Sequence, residues 1–194
     1  MIRRLCVFCG SNSGTRPVYR DAARSLGALL AAQKIGLVYG GGRVGLMGAI
    51  ADAALEAGGE AIGVIPRALM EKEIGHRGLT ELRVVPSMHE RKAEMMNLAD
   101  GFIAMPGGYG TLEEFCEVVT WLQLGLHRKP CGLLNVDGYY DPLLALFRHA
   151  QVEGFLHPVH ASLVVADSDA DRLLESLRSF AVPHLDKWLN PKQA

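Results

Sequence analysis

Residues Gly36–Ile65 read GLVYGGGRVGLMGAIADAALEAGGEAIGVI. A short apolar run, Gly36–Tyr39, enters a glycine-rich turn, Gly40-Gly41-Gly42-Arg43-Val44-Gly45. An alanine-rich stretch of helical length, Gly45–Ala57, follows, and a second apolar run, Ala61–Ile65, closes the segment. Short apolar runs bounded by glycine are the mark of strands covered on both faces. The segment is therefore a strand–helix–strand unit.

The same alternation continues in both directions. Further strands are expected at Arg4–Cys9, Leu82–Val85, Gly101–Met105, Cys131–Val136 and Leu163–Val165. Helices are expected at Pro17–Gln33, His89–Leu98, Thr111–Leu124, Tyr140–Glu153 and Asp169–Phe180. Repeated units of this kind give an α/β fold, a doubly wound and mostly parallel sheet with helices on both faces. The chain has 194 residues, 49% of them hydrophobic, which suits one compact domain over residues 1–182 and a polar tail at 183–194. The stretch Arg67–Leu79 lacks periodicity and is expected to loop over the site.

Several function classes drop out on composition. A formal net charge of -1 offers no basic field for a nucleic-acid polymer. No apolar run is long enough to span a bilayer. The charged start followed by Leu5–Cys9 is too short for a signal peptide and reads as a buried first strand, so a cytoplasmic location is expected. Cys6 and Cys9 form a C-x-x-C, but inside a strand their odd offset sends them to opposite faces, unlike a redox pair at a helix start. The histidines form no ligand set with a third histidine or a carboxylate, so no metal is expected.

In such sheets ligands bind at the carboxyl ends of the strands. Three of these ends are rich in small residues: Gly10-Ser11-Asn12-Ser13-Gly14, Gly40–Gly45, and Pro106-Gly107-Gly108-Tyr109-Gly110-Thr111. Ser11, Gly41 and Gly42 are candidate contacts to phosphate or ribose. Gly40-x-Gly42-x-x-Gly45 fits the dinucleotide pattern, yet the next strand ends in Pro66-Arg67 without the acid that holds ribose hydroxyls. The missing acid argues against NAD, while Arg67 at that strand end could accept a ribose phosphate and leaves NADP open, although a reductase would still lack a clear dinucleotide half-site.

Pro106 to Glu114 places glycine N–H groups and a helix start together, an arrangement suited to a phosphate, with Glu114 expected in the first helical turn. Thr111-x-x-Glu114 is equally a capping box, in which both side chains only satisfy helix-end donors. Upstream, Met88-His89-Glu90-Arg91-Lys92 puts a basic pair at a helix start, against the helix dipole. Those charges either face a ligand or form a solvated pair balanced by Glu90 and Glu94.

With Arg91-Lys92 followed by P-G-G-x-G-T-x-x-E at Pro106–Glu114, the sequence closely resembles the LONELY GUY family of cytokinin riboside 5′-monophosphate phosphoribohydrolases, often labelled lysine decarboxylases. The C-G-S-x-x-G at Cys9–Gly14 and the Y-G-G-G-x-x-G-L-M-G at Tyr39–Gly48 are also similar, and the likeness runs from about Leu5 to Leu124. The resemblance implies a Rossmann-like fold, a homodimer, no cofactor and a nucleoside 5′-monophosphate substrate cleaved at its N-glycosidic bond. It implies Arg91 and Glu114 as catalytic. It implies Glu73, Lys92, Gly107, Gly108, Tyr109, Gly110, Thr111, Leu112, Glu113 and Thr120 as substrate contacts. A nucleotide or molybdenum-cofactor carrier without chemistry would keep the glycine loops but would not need both Arg91 and Glu114. A lysine decarboxylase would need a lysine to hold pyridoxal phosphate, and no convincing lysine site is present.

Overall fold

The computed structural model describes residues 1–70 and 75–183. Their strands are β1 (Arg4–Phe8), β2 (Gly36–Tyr39), β3 (Ala61–Pro66), β4 (Glu81–Val85), β5 (Gly101–Ala104), β6 (Cys131–Leu134) and β7 (Val164–Asp167). They form one sheet in the order β4-β3-β2-β1-β5-β6-β7, with every neighbouring pair parallel. Strand order reverses at β1, whose neighbours are β2 and β5. Such a reversal opens a crevice at the strands' carboxyl ends.

Side-chain alternation along β1 divides the interior into two cores. Leu5 and Val7 pack with Leu26, Leu30, Ile50 and Leu173 on one face. Cys6 and Phe8 pack with Met95, Phe115, Val118 and Leu122 on the other. The first face is covered by α1 (Pro17–Ala32), α2 (Gly45–Glu56) and α8 (Ala170–Ser179), the second by α4 (Met88–Leu98) and α5 (Tyr109–Gln123). The expected doubly wound sheet is therefore observed.

The C-x-x-C behaves as the strand offset requires. Cys6 lies in one core and Cys9 in the other, both as free thiols. Burial raises both thiols above their ordinary range, which leaves little reactive thiolate.

Three differences from the expected elements bear on the site. The stretch after β3 is not wholly irregular: α3 (Arg67–Met70) continues directly from the strand. Gly75 then forms a bridge with Gly42, and the His76 N–H donates to Gly41 O at 3.1 Å. The buried His76 ring also bonds Asp52 of α2 at 2.8 Å, so this segment is pinned beside the glycine turn after β2. Two further helices follow β6: α6 (Asp141–Val152), near its expected bounds, and α7 (Pro158–Ala161), a single turn with no periodic signature to announce it. No helix among the described residues is long and apolar enough to cross a membrane.

The third difference is the start of α5. Its N-cap is Gly108 and it begins at Tyr109, two residues ahead of the expected start at Thr111, and no side chain caps it. Thr111 therefore stands inside the first turn and Glu114 in the second. The capping-box reading of Thr111 and Glu114 fails on this geometry. Ser87 does cap α4: its hydroxyl oxygen accepts from the Glu90 N–H at 3.2 Å and its O–H reaches Glu90 Oε1 at 3.2 Å. Glu90 then supplies the acid that the dipole favours in the first turn, ahead of the basic pair.

Candidate active site

Two adjoining pockets open at the carboxyl ends of β1 and β5. One, of about 310 Å³, is lined by Gly10–Gly14, Tyr19, Leu46, Pro106, Gly107, Gly108 and Tyr139. The other, of about 220 Å³, is lined by Cys9, Gly10, Ser11, Met47, Arg91, Gly108, Tyr109, Gly110, Thr111 and Glu114. Gly10, Ser11 and Gly108 belong to both walls, so the pockets are two lobes of one cleft at the strand-order reversal.

The smaller lobe carries the charges. Arg91 comes from α4 and Glu114 from α5, both only 8% exposed. Arg91 Nη2 lies 3.6 Å from Glu114 Oε1, beyond hydrogen-bond length. Arg91 Nε has no hydrogen-bond partner among the described residues, and Nη1 reaches only the Met88 sulfur at 3.7 Å. A buried guanidinium usually saturates its donors. This one holds donors in reserve beside an open lobe. Burial raises the Glu114 carboxyl above the ordinary carboxylate range, and Arg91 opposes that rise.

Gly40 makes the position of Arg91 possible. A β-carbon at Gly40 would sit 2.0 Å from Arg91 Nη2. The first glycine of the turn after β2 thus gives way to the guanidinium. Gly41 and Gly42 do not line either lobe. A β-carbon on Gly41 would meet Ile65 and Leu82, and Gly42 pairs with Gly75, so both turn toward β3 and the segment before β4.

The start of α5 offers unpaired donors. With Gly108 as N-cap, the N–H groups of Tyr109, Gly110 and Thr111 lack both intrahelical acceptors and a side-chain cap. A β-carbon on Gly107 would strike Thr111 Oγ1 at 2.1 Å, so this glycine is fixed by packing. Gly108 and Gly110 differ: a β-carbon on either would meet nothing within 4 Å. Gly110 sits in a helix, where glycine costs about 1 kcal/mol relative to alanine, and no neighbouring atom accounts for it. Close approach of a ligand would. Replacing Gly110 by Ala is therefore expected to raise the melting temperature while weakening binding of phosphorylated ligands. Differential scanning calorimetry alongside phosphate titration reads the two opposite signs.

The remaining residues implied by resemblance divide. Ser11, Tyr109 and Thr111 line the cleft with Gly107, Gly108 and Gly110. Lys92 Nζ instead binds Glu113 at 2.5 Å and Glu117 at 2.9 Å, which ties α4 to α5. Burial lowers the Lys92 ammonium's pKa, but the hydrogen bonds to both carboxylates outweigh it and hold the value above its usual range. The solvated-pair reading therefore describes neither residue: Arg91 is buried, Lys92 is paired across to α5, and Glu94 pairs with Arg83. Leu112 packs into the core, and Glu113 is taken up by Lys92.

Thr120 stands apart, its hydroxyl donating to Cys116 O at 2.7 Å. It lines a separate apolar groove with Phe147, Phe155 and His160. Glu73 lies outside the described residues. Among the described residues, no lysine lines either lobe and no three His, Cys, Asp or Glu side chains are placed to hold a metal. Residue patterns also missed Tyr139, which reaches the cleft wall from beyond β6.

A family model described as "Possible lysine decarboxylase" matches residues 47–177. A probable cytokinin riboside 5′-monophosphate phosphoribohydrolase of Oryza sativa subsp. japonica is 57% identical over 178 residues, 92% of this chain and 78% of that protein. A cytokinin riboside 5′-monophosphate phosphoribohydrolase of Arabidopsis thaliana is 51% identical over 185 residues, 95% of this chain and 85% of its own. Among solved structures, the molybdenum cofactor binding protein of Rippkaea orientalis superposes with a TM-score of 0.69 at 24% identity, covering 92% of this chain and 97% of that one. The molybdenum cofactor carrier protein of Chlamydomonas reinhardtii gives 0.67 at 20% identity, over 92% and 97%. At those identities the structural neighbours show a shared fold and nothing about ligand.

Proposed function

The chain belongs to the family of cytokinin riboside 5′-monophosphate phosphoribohydrolases, and on that premise we propose that it hydrolyses the N-glycosidic bond of an N6-modified adenosine 5′-monophosphate to free base and ribose 5-phosphate. The observation that carries this is the buried Arg91–Glu114 pair, loosely joined at 3.6 Å beside an uncapped helix start. A carrier needs the glycine cradle but has no use for a buried carboxylate and a guanidinium with unspent donors.

The steps follow from charge. Breaking the bond leaves positive charge on the ribose ring and negative charge on the departing base. The Glu114 carboxylate stabilises the first and orients the attacking water. The water oxygen bonds to the anomeric carbon, and its proton ends on the base. The Arg91 guanidinium offers its free donors to the negative charge. Lys92, Glu113 and Glu117 hold the two helices at a fixed separation, which keeps Arg91 opposite Glu114. The N–H groups at Gly108–Thr111 take the 5′-phosphate, so binding energy remote from the scissile bond positions it.

Comparing turnover of a cytokinin riboside 5′-monophosphate with that of its riboside tests the phosphate's role. A strong preference for the monophosphate is expected. Equal kcat/KM for the two would remove the phosphate site.

The unit is proposed to be a homodimer in the cytoplasm, where free cysteines persist. Helix α6 buries none of its residues fully, and Leu146, Val152 and Phe155 are exposed by 59%, 81% and 89%. A second copy covering this face would also account for Thr120, which does not line the cleft of its own chain and could contact substrate only in the cleft of another copy. Light scattering at micromolar concentration should give twice the chain mass, and a monomer mass would contradict the dimer.

A further inference from the structure

After β6 the chain makes an unusual reversal. Val136–Gly138 forms a 3-10 turn in which Asp137 and Gly138 are both left-handed, with φ of 52° and 74°. A non-glycine residue adopts that region only where its surroundings hold it there. Here they do: Asp137 forms an ion pair with Arg16 at the start of α1, and the Asn135 side chain braces the far end of the turn. Asn135 Oδ1 accepts from the Tyr140 N–H at 2.7 Å, and its Nδ2 donates to Asp141 Oδ1 at 2.8 Å.

The reversal sends two successive tyrosines back beneath the loop after β5. The Tyr140 hydroxyl donates to Met105 O at 2.6 Å, and the Tyr139 hydroxyl donates to Gly107 O at 2.6 Å. Between them, the Gly10 N–H donates to Pro106 O at 3.0 Å. All three consecutive carbonyls of Met105-Pro106-Gly107 are therefore held. A trans peptide is rigid, so fixing one carbonyl fixes the next residue's N–H in the opposite direction. Holding Pro106 O orients the Gly107 N–H, and holding Gly107 O orients the Gly108 N–H away from Tyr139. Burial raises the Tyr140 phenol's pKa, so it remains a donor.

We propose that Tyr139 is a positioning residue for the hydrolysis, clamping the Gly107 carbonyl so that the Gly108 N–H running into α5 stays aimed at the substrate's phosphate; Tyr140 holds Met105 O, whose peptide runs into Pro106 and carries no N–H, and so only anchors the loop. The proposal rests on the phosphate reading of that helix end. Tyr139 also forms part of the cleft wall, edge-on to Tyr19 with ring centroids 5.8 Å apart. Its ring and its hydroxyl therefore have separable roles.

Tyr139→Phe keeps the ring and removes only the clamp, and Tyr139 is partly exposed, so the variant is expected to fold. Binding of ribose 5-phosphate by calorimetry reads the clamp without depending on hydrolysis. Loss of one orienting hydrogen bond should weaken that binding about five- to tenfold. In kinetics the loss should appear in KM for the monophosphate rather than in kcat, and kcat/KM for the unphosphorylated riboside should change far less. Tyr140→Phe frees a carbonyl that precedes proline and orients no N–H, so it should lower the melting temperature, its hydroxyl being buried, while changing ribose 5-phosphate affinity far less than Tyr139→Phe does. Unaltered ribose 5-phosphate affinity in Tyr139→Phe, or equal losses for monophosphate and riboside, would reduce Tyr139 to a fold stabiliser. A wild-type chain that binds ribose 5-phosphate normally but hydrolyses no monophosphate would sink the hydrolase reading and leave the clamp standing. A wild-type chain that fails to bind ribose 5-phosphate would overturn the clamp.

Discussion

Glu114→Gln is expected to lower kcat by about 10²–10⁴ without lowering the melting temperature. The first half follows from charge: the amide keeps the shape but cannot face a developing cation. The second follows from the direction of the Glu114 shift. Burial holds its folded pKa above the ordinary carboxylate value. A raised acid favours the folded state only while protonated. Stability is therefore lost as pH rises from the unfolded pKa through the folded one, and at neutral pH the ionised carboxylate is a net cost. A neutral isostere removes that cost, so stability should hold or rise as activity collapses. Circular dichroism melts with steady-state rates test both halves. Near-normal kcat would return Glu114 to a structural role, although the Gly108 cap has already removed the most obvious one.

Arg91→Met is expected to lower kcat/KM by about 10²–10³, the loss typical of one oriented donor to developing charge. Arg91→Lys should recover little, because lysine keeps the charge but loses the planar fork. The two residues are also coupled through titration. Arg91 pulls the Glu114 pKa down against burial, so its removal should push that pKa further up. The acid limb of the pH–kcat/KM profile should then move to higher pH than in the wild type. Both profiles must use the same substrate, so that the titration of its own phosphate cancels. An unmoved limb would mean that Glu114 is not the group whose ionisation the reaction requires.

The sheet was legible because its signals are local. Apolar runs closed by glycine or proline located β1, β2, β3 and β5 to within a residue. The start of α5 was less so. Threonine is a strong cap, and glycine is poor in a helix interior, so local chemistry favours Thr111 as the beginning. Only the packed structure shows that Gly108 caps and that Gly110 is carried inside the helix.

The site was legible as a motif and not as a geometry. Spacing marks both Arg91 and Glu114, but their approach requires α4 and α5 on the same face of the sheet and a glycine at position 40. The partnership of Lys92 with Glu113 and Glu117 was likewise hidden, since it spans 21 and 25 residues. Tyr139 gave no signal at all. Its role is made by a hydrogen bond to a backbone carbonyl 32 residues away, which no residue pattern records.

The most direct test of the hydrolase is product analysis on a cytokinin riboside 5′-monophosphate, with free base, riboside, ribose 5-phosphate and inorganic phosphate resolved in one run. Base and ribose 5-phosphate should accumulate one for one, and Glu114→Gln should suppress both together. Accumulation of riboside with inorganic phosphate, or a monophosphate that remains intact, would contradict the assignment of the Arg91–Glu114 cleft to N-glycosidic hydrolysis.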